Sequence, residues 1–335
     1  MEEINKFLLR LGDYHIKNIN DEAASQEQVY VLWSFMNILT PSKFKTMFAR
    51  GESDSNLQKH YLADTTNIRY LLDMIFCVGE KGRVCFDNDD WIDPDDTDIG
   101  NFARICTLLN SALKSAAKGT PERVNRMHKF IQKNKTFSDA FLLAKENLIK
   151  RYEKLCSEDR TKVNLYYLAI LHTINSNRYK DKSVFVSTSR DFEVAEQFEQ
   201  SLMFIGWMPK AHFPAYVASK KMDSFTSVCD SVGLPFVSIP VYPEQAEISV
   251  RYGILPHFII GVKIKNVFYV NPALYETMEL FKDCTSIMQM KQLRADIIRN
   301  GLKVNQERFL EYCRKSGYLR YFTYDGIQYR INSLS

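Results

Sequence analysis

The sequence lacks the motifs that most often identify a nucleotide-binding or serine-dependent enzyme. It contains neither G-x-G-x-x-G nor G-x-x-x-x-G-K-[ST], so the two common backbone cradles for phosphate are missing. G-x-S-x-G is also absent, which removes the simplest serine-hydrolase hypothesis. The seven cysteines form no C-x-x-C pair, which argues against a disulfide framework or a zinc site and predicts reduced, mostly buried thiols and no metal.

Long apolar runs are missing too. None of the apolar stretches approaches the roughly 20 residues that a membrane-spanning helix needs. The N-terminus, MEEINKFLLRLGDYH, starts acidic and has no apolar core followed by small residues, unlike a secretory signal. We therefore expect a cytoplasmic protein without membrane contact.

The 335 residues predict two domains, divided where the sequence pattern changes. Within residues 1–155 apolar side chains recur at spacings of three and four, as in QEQVYVLWSFMNIL, NIRYLLDMIFCV, NFARICTLLNSALKSAAKG and FSDAFLLAKENLIKRYEKL. The acidic run DNDDWIDPDDTD interrupts them, and lacks the glycine and final glutamate that a calcium loop requires. We interpret residues 1–155 as a helical docking or regulatory domain, with a solvated loop ending in the helix cap Asp98.

Residues 156–335 are dominated by short segments rich in Val, Ile, Tyr and Phe, separated by turn residues: KVNLYYLAILHTI, KSVFVSTS, LPFVSIPVY, QAEISV, PHFIIGVKI and NVFYVNP. They predict an α+β domain with largely antiparallel sheets. Two helices, MQMKQLRADIIRNG and NQERFLEYCRKSG, are expected after Ile287, each closed by a glycine. A hairpin around Asp325-Gly326 ends the chain.

Three segments of the second half could carry chemistry. Ser187, Thr188 and Ser189 are expected to end a strand, before a helix that begins near Asp191. Taken alone, this segment is better explained by Ser189 or Asp191 acting simply as a helix cap. The stretch YPEQAE follows about 55 residues later.

In YPEQAE, Gln245 and Glu247 would share one face if the segment is a strand, because strand residues two apart point the same way. A solvent-facing polar edge explains this pattern equally well. The third segment is NLYYLAIL, residues 164–171, predicted as an aromatic-led strand roughly 20 residues before the serines.

The strand, S-T-S and helix, followed by Gln-x-Glu on a later strand, resemble the ADP-ribosyltransferase fold of the Arg–Ser–Glu type. The resemblance covers about residues 160–275, and the hairpin PHFIIGVKIKNVFYVNP is similar to the family's closing strands. It implies a split antiparallel β-sandwich with flanking helices. It also implies an NAD-dependent transferase that moves ADP-ribose onto a macromolecular acceptor, with NAD as co-substrate.

By the same resemblance, Glu247 would stabilise the positive charge that develops on the ribose. Ser187 would position Glu247, and Thr188 and Ser189 would belong to the cofactor site. The family carries an Arg or His on its first core strand to hold the dinucleotide. The segment expected to be that strand offers Tyr166 and Tyr167, with Arg160 upstream and His172 downstream.

The acceptor is the point on which the sequence is least specific. Gln245 stands two residues before the glutamate, and in this respect the chain is similar to family members that modify asparagine or a nucleobase. An amide side chain matches such acceptors. Tyr242 occupies the position of an aromatic residue that contacts the target, or else packs beside Pro243. Residues 1–155 balance 22 basic against 22 acidic residues, whereas residues 156–335 carry 22 against 18.

The C-terminal segment also interleaves basic and aromatic residues, which suits phosphates and bases, although a packed hairpin with a solvated face explains the segment better by itself: Arg314, Lys315, Tyr318, Arg320, Tyr321, Phe322, Tyr324, Tyr329 and Arg330. These features favour RNA narrowly over a protein asparagine. A toxin of this kind acting in its own cell would need a neutralising antitoxin or a chaperone as partner. A non-catalytic module that binds NAD or RNA on the same fold, and an unrelated α+β protein, remain alternatives.

Overall fold

The computed structural model describes residues 10–39, 45–61, 66–80, 92–116, 118–143, 145–174, 183, 185–209, 223–251, 254, 259–272, 322–324 and 329–331. Ten α-helices lie in this described part: α1 (Gln26–Leu39), α2 (Asp54–Tyr61), α3 (Ile68–Val78), α4 (Ile99–Ser115), α5 (Pro121–Lys133), α6 (Lys135–Leu143), α7 (Lys145–Tyr152), α8 (Ser157–Ile174), α9 (Phe192–Gln197) and α10 (Asp223–Ser231). Its strands are β1 (His15–Lys17), β2 (Lys45–Glu52), β3 (Phe185–Ser189), β4 (Leu202–Pro209), β5 (Glu247–Arg251), β6 (Ile259–Ile264), β7 (Val267–Val270), β8 (Phe322–Tyr324) and β9 (Tyr329–Ile331).

Seven strands form one mixed sheet in the order β1-β7-β6-β4-β2-β3-β5. The pair β1–β7 is parallel, with His15 opposite Val267. The pairs β2–β3, β2–β4, β4–β6 and β6–β7 are antiparallel. The sheet is open, and β8 and β9 pair separately as an antiparallel ribbon in which Tyr324 lies opposite Tyr329.

The chain divides into two compact units, and neither is continuous in sequence. The first unit comprises Met1–Asp87, Thr188–Phe213 and Tyr252–Ser335, and the second comprises Asn88–Ser187 and Pro214–Arg251. Position 155, where the sequence pattern changes, falls inside the second unit. The second unit contains helices α4 to α8 and α10 together with β5.

The predicted α+β class is confirmed, and so are most of the helices expected in residues 1–155. Helix α1 matches its predicted segment over Gln26–Leu39, and Asp98 caps α4 by accepting from the Gly100 N–H. The C-terminal ribbon is also present as expected. A split sandwich is not confirmed, since the main strands of the described chain lie in one sheet.

Two strand predictions are wrong. Residues 164–171 belong to the 18-residue helix α8, in which every residue from Val163 to Ile174 is buried. A helix that is covered on all sides has no polar face, so its sequence shows no helical period and its aromatic residues imitate a strand. The segment LPFVSIPVY is irregular, because its prolines cannot donate ladder hydrogen bonds.

Strands β2 and β4 were not predicted at all. Met47, Phe48 and Ala49 of β2 are all buried, so the strand lacks the alternation of apolar and polar residues that marks a half-exposed strand. Gly51 lets β2 run against α9 of the same unit, since a Cβ there would lie 2.5 Å from the Ala195 carbonyl oxygen.

The predicted helices after Ile287 lie outside the described residues, as do Arg314, Lys315, Tyr318, Arg320 and Tyr321. No helix in the part of the chain that the structure describes is long and apolar enough to cross a membrane.

Candidate active site

Four side chains of the second unit form a continuous hydrogen-bond network. Ser187, on β3, donates to Oε1 of Glu247, the first residue of β5, over 2.7 Å. Ser249, two residues further along β5, donates to the same oxygen over 3.1 Å. Nε2 of His172, in the last turn of α8, lies 2.7 Å from Oγ of Ser187. The predicted pairing of Ser187 with Glu247 is therefore present, although 60 residues separate the two.

The direction of these bonds follows from counting protons. Ser187 carries one hydroxyl proton and donates it to Glu247, so the bond from His172 must be donated by the imidazole through Nε2–H. In this arrangement His172 cannot accept the Ser187 proton, and Ser187 is not activated as a nucleophile. The carboxylate is the acceptor at the end of the network, which suits a fixed negative charge.

The network is largely removed from water. Glu247 and His172 are each 6% exposed, Ser249 is fully buried, and Ser187 is partly exposed. The ring of Phe185 lies 6.1 Å from the imidazole of His172 and supplies an apolar neighbour. A carboxylate in such surroundings interacts with a nearby charge more strongly than it would in water.

The segment before Glu247 is a turn, which corrects the expectation that Gln245 lies on a strand. Pro243–Gln245 form one turn of 3₁₀ helix, with the Gln245 N–H bonded to the Tyr242 carbonyl. Ala246 then adopts a left-handed conformation with φ 44°. The argument that Gln245 and Glu247 share a face therefore does not hold, because proline and a positive φ interrupt the extended backbone.

Arg126 of α5 contacts this turn at two residues. Nη1 of Arg126 donates to Oε1 of Glu244, and the guanidinium carbon lies 4.9 Å from the ring centroid of Tyr242. The ion pair raises the pKa of the Arg126 guanidinium, which stays charged. Tyr242, predicted to contact an acceptor or to pack in the turn, therefore packs against an arginine.

Tyr166 and Tyr167 lie on a helix, and their hydroxyl groups hold the irregular segment after α10. Tyr166 accepts from the Val237 N–H over 2.8 Å, and Tyr167 donates to the Pro235 carbonyl over 2.9 Å. Burial raises the pKa of both phenols. Their predicted part in cofactor binding depended on a strand that the structure does not contain.

Arg160 also serves local structure in the second unit. It donates to the backbone carbonyls of Thr97 and Glu153, over 3.4 and 2.9 Å, and lies over the ring of Tyr152. Burial raises the pKa of Tyr152 to about 12. Nothing in these contacts directs Arg160 to the network around Glu247.

Thr188 and Ser189 continue β3 into the first unit, and both are buried. Oγ of Ser189 accepts from the Asp191 N–H over 2.9 Å. Asp191 accepts from the Glu193 N–H and caps α9. Of the two cap candidates in the sequence, Ser189 and Asp191, the cap is therefore Asp191.

Two residues, His172 and Arg50, were overlooked in the sequence. His172 appeared only as a neighbour of a supposed strand, and a single histidine carries no spacing signal. Arg50 was missed because β2 was missed. In the first unit, Arg50 is 10% exposed and forms ion pairs with the buried carboxylates of Glu52 and Glu80.

The chain matches no protein-family model, and no curated protein or solved structure is significantly similar to it. Within the described residues, His, Cys, Asp and Glu form no group of three that could hold a metal ion.

Proposed function

We propose that the protein is an NAD-dependent mono-ADP-ribosyltransferase whose central carboxylate is Glu247. The hydrogen bond from Ser187 to Glu247 carries this proposal. The resemblance of S-T-S and Gln-x-Glu to the Arg–Ser–Glu enzymes required these two residues to meet. They lie far apart in sequence, so their meeting was not implied by local structure.

The arrangement suits the chemistry of breaking the bond between nicotinamide and ribose. In that reaction the bonding electron pair leaves with nicotinamide, positive charge grows on the ribose, and the acceptor atom bonds to the ribose carbon and releases its proton. Two hydroxyls fix Oε1 of Glu247, so the carboxylate needs little reorganisation to face this charge. Burial of Glu247 makes its stabilisation of the charge larger.

The acceptor remains a nucleic acid, with RNA slightly ahead of a protein side chain such as asparagine. Gln245 lies in the turn two residues before Glu247, and the donor and acceptor groups of its amide match a base or another amide. The partly exposed Tyr242 lies in the same turn and suits stacking on a base.

The alternative is a non-catalytic module that binds NAD or RNA. Residues 164–171 offer Tyr166 and Tyr167 where the resemblance implies an arginine, and a tyrosine cannot bind phosphate through two parallel hydrogen bonds, which favours this alternative. Such a module would bind its ligand and release no nicotinamide.

The direct test is transfer of label from NAD that carries it on the adenylate. Purified wild type and Glu247→Gln would be incubated with total RNA, denatured DNA and cell lysate in parallel. Transfer by the wild type alone supports the proposal and identifies the acceptor class. NAD binding without nicotinamide release by folded wild type would instead favour the binding module.

A further inference from the structure

Helix α5 contacts the segment before Glu247, residues 238–244, near both of its ends. Asn134, which caps α5, accepts from the backbone N–H groups of Ser238 and Ile239 and donates to the Ile239 carbonyl over 2.8 Å. Two turns earlier on the helix, Arg126 binds Glu244 and lies over Tyr242. The course of residues 238–244 therefore depends on α5.

The helix itself is well fixed. Thr120 caps its N-terminus by accepting from the Arg123 N–H, Pro121 occupies its first position, and Met127 and Phe130 are buried on one face. Arg126 is thereby presented from a rigid element, and its side chain keeps 33% exposure against 55% for Glu244. Glu122 lies 3.6 Å from Arg126 and adds a second, exposed carboxylate.

The turn has reason to need support. Ala246 has φ 44°, a conformation that residues other than glycine adopt at a cost. The Gln245 N–H bond to the Tyr242 carbonyl spans 3.2 Å and closes only a single 3₁₀ turn. A half-exposed ion pair is weak by itself, but Arg126 adds a contact to the Tyr242 ring and so restrains two of the turn residues together.

We propose that Arg126 is a specificity-determining positioning residue, which holds the turn Tyr242–Gln245 in the conformation that receives the acceptor. This inference rests on the proposed transferase function and adds to it the part played by the helical segment. Arg126 acts through Tyr242 and Glu244, so its loss affects transfer to the acceptor more than cleavage of NAD by water.

The first measurement is amide hydrogen exchange at Gln245, which needs no activity. Arg126→Ala should speed exchange there by roughly tenfold, and guanidinium chloride at low millimolar concentration should restore the slow rate by occupying the place of the side chain. Arg151→Ala is the matched control, because Arg151 lies in the same unit and donates to the Gly233 carbonyl, outside the turn.

The second measurement is the ratio of ADP-ribose transfer to NAD hydrolysis. The acceptor is whichever of total RNA, denatured DNA or lysate protein the wild type labels. Arg126→Ala should lower this ratio by roughly tenfold or more, since misplaced substrate contacts cost rate without removing the carboxylate. Arg126→Lys keeps the charge but loses the planar contact with Tyr242, so its ratio should lie between those of wild type and Arg126→Ala. Arg151→Ala should leave the ratio unchanged.

The outcomes separate the two levels of the proposal. Unchanged exchange at Gln245 in Arg126→Ala overturns the positioning role. Faster exchange with an unchanged ratio overturns the role in specificity. If folded wild type turns over no NAD, the proposed function fails and the specificity role fails with it, while the exchange data still decide whether Arg126 holds the turn.

Discussion

Nε2 of His172 lies 2.7 Å from Oγ of Ser187, and Ser187 gives its only hydroxyl proton to Glu247. The order of the three groups differs from a nucleophilic triad, in which a histidine stands between serine and carboxylate. Here the serine stands between the other two. The relationship makes His172 a donor that orients the hydroxyl, and under the proposed function Glu247 is the group that faces the reacting centre.

The protonation of His172 is directly testable. Nitrogen-15 NMR of the folded protein near neutral pH should show a proton on Nε2 of His172, because the bond to Ser187 requires it. His172→Gln can retain a donor, whereas His172→Leu cannot, so NAD turnover should be lower in the leucine variant by about tenfold, the size of one lost hydrogen bond. An Nε2 without a proton would contradict the network.

Ser187 and Ser249 should differ in their effects although both donate to Glu247. Ser187→Ala removes one donor to Glu247 and also removes the hydroxyl that His172 contacts through Nε2, which costs about 1–3 kcal/mol. Ser249→Ala removes only the longer bond and should reduce turnover less. Steady-state kinetics and urea unfolding of both variants check this order. In His172→Leu/Ser187→Ala, the losses should be less than additive.

Tyr167→Phe distinguishes packing from cofactor binding. The ring is fully buried and lies 5.1 Å, edge to face, from Phe141, while its hydroxyl binds the Pro235 carbonyl. Loss of that hydroxyl should lower the free energy of unfolding by about 1–2 kcal/mol and leave the KM for NAD unchanged. A raised KM in a variant of normal stability would restore the role predicted from the sequence.

The cysteines should react selectively. Burial raises the pKa of the Cys229 thiol to about 12, so at pH 8 its reactive thiolate is almost absent, whereas Cys156 is exposed. Iodoacetamide should label Cys156 in the folded protein and label Cys229 only after denaturation. Mass spectrometry of the labelled peptides measures both. Rapid labelling of Cys229 under native conditions would contradict its burial on α10.

Much of the fold could be predicted from sequence because amphipathic helices have a recognisable spacing of apolar residues. Helices α1, α3 and α4 have the apolar spacing of half-buried elements, and β5 to β7 are short and bounded by turn residues. Helix α8 and strand β2 could not be predicted, for one shared reason. Residues 163–174 of α8 and 47–49 of β2 are all buried, and burial on every side erases the period that separates helix from strand.

The candidate site divides in the same way. Ser187 and Glu247 were found because a family resemblance fixes their order along the chain. His172 was not assigned to the network, since its bond joins the end of a helix to a strand 15 residues later. The contact of Arg126 with Glu244 spans 118 residues and leaves no trace in local pattern.

The most direct test of the central claim is release of nicotinamide from NAD by wild type and by Glu247→Gln. The substitution keeps the shape of the side chain and removes its charge. The proposed function predicts that turnover falls by roughly 10²–10³-fold in Glu247→Gln. The variant should still unfold in a cooperative urea transition, which shows that it is folded. Equal turnover by the two folded proteins would contradict the assignment of Glu247 as the charge-stabilising carboxylate.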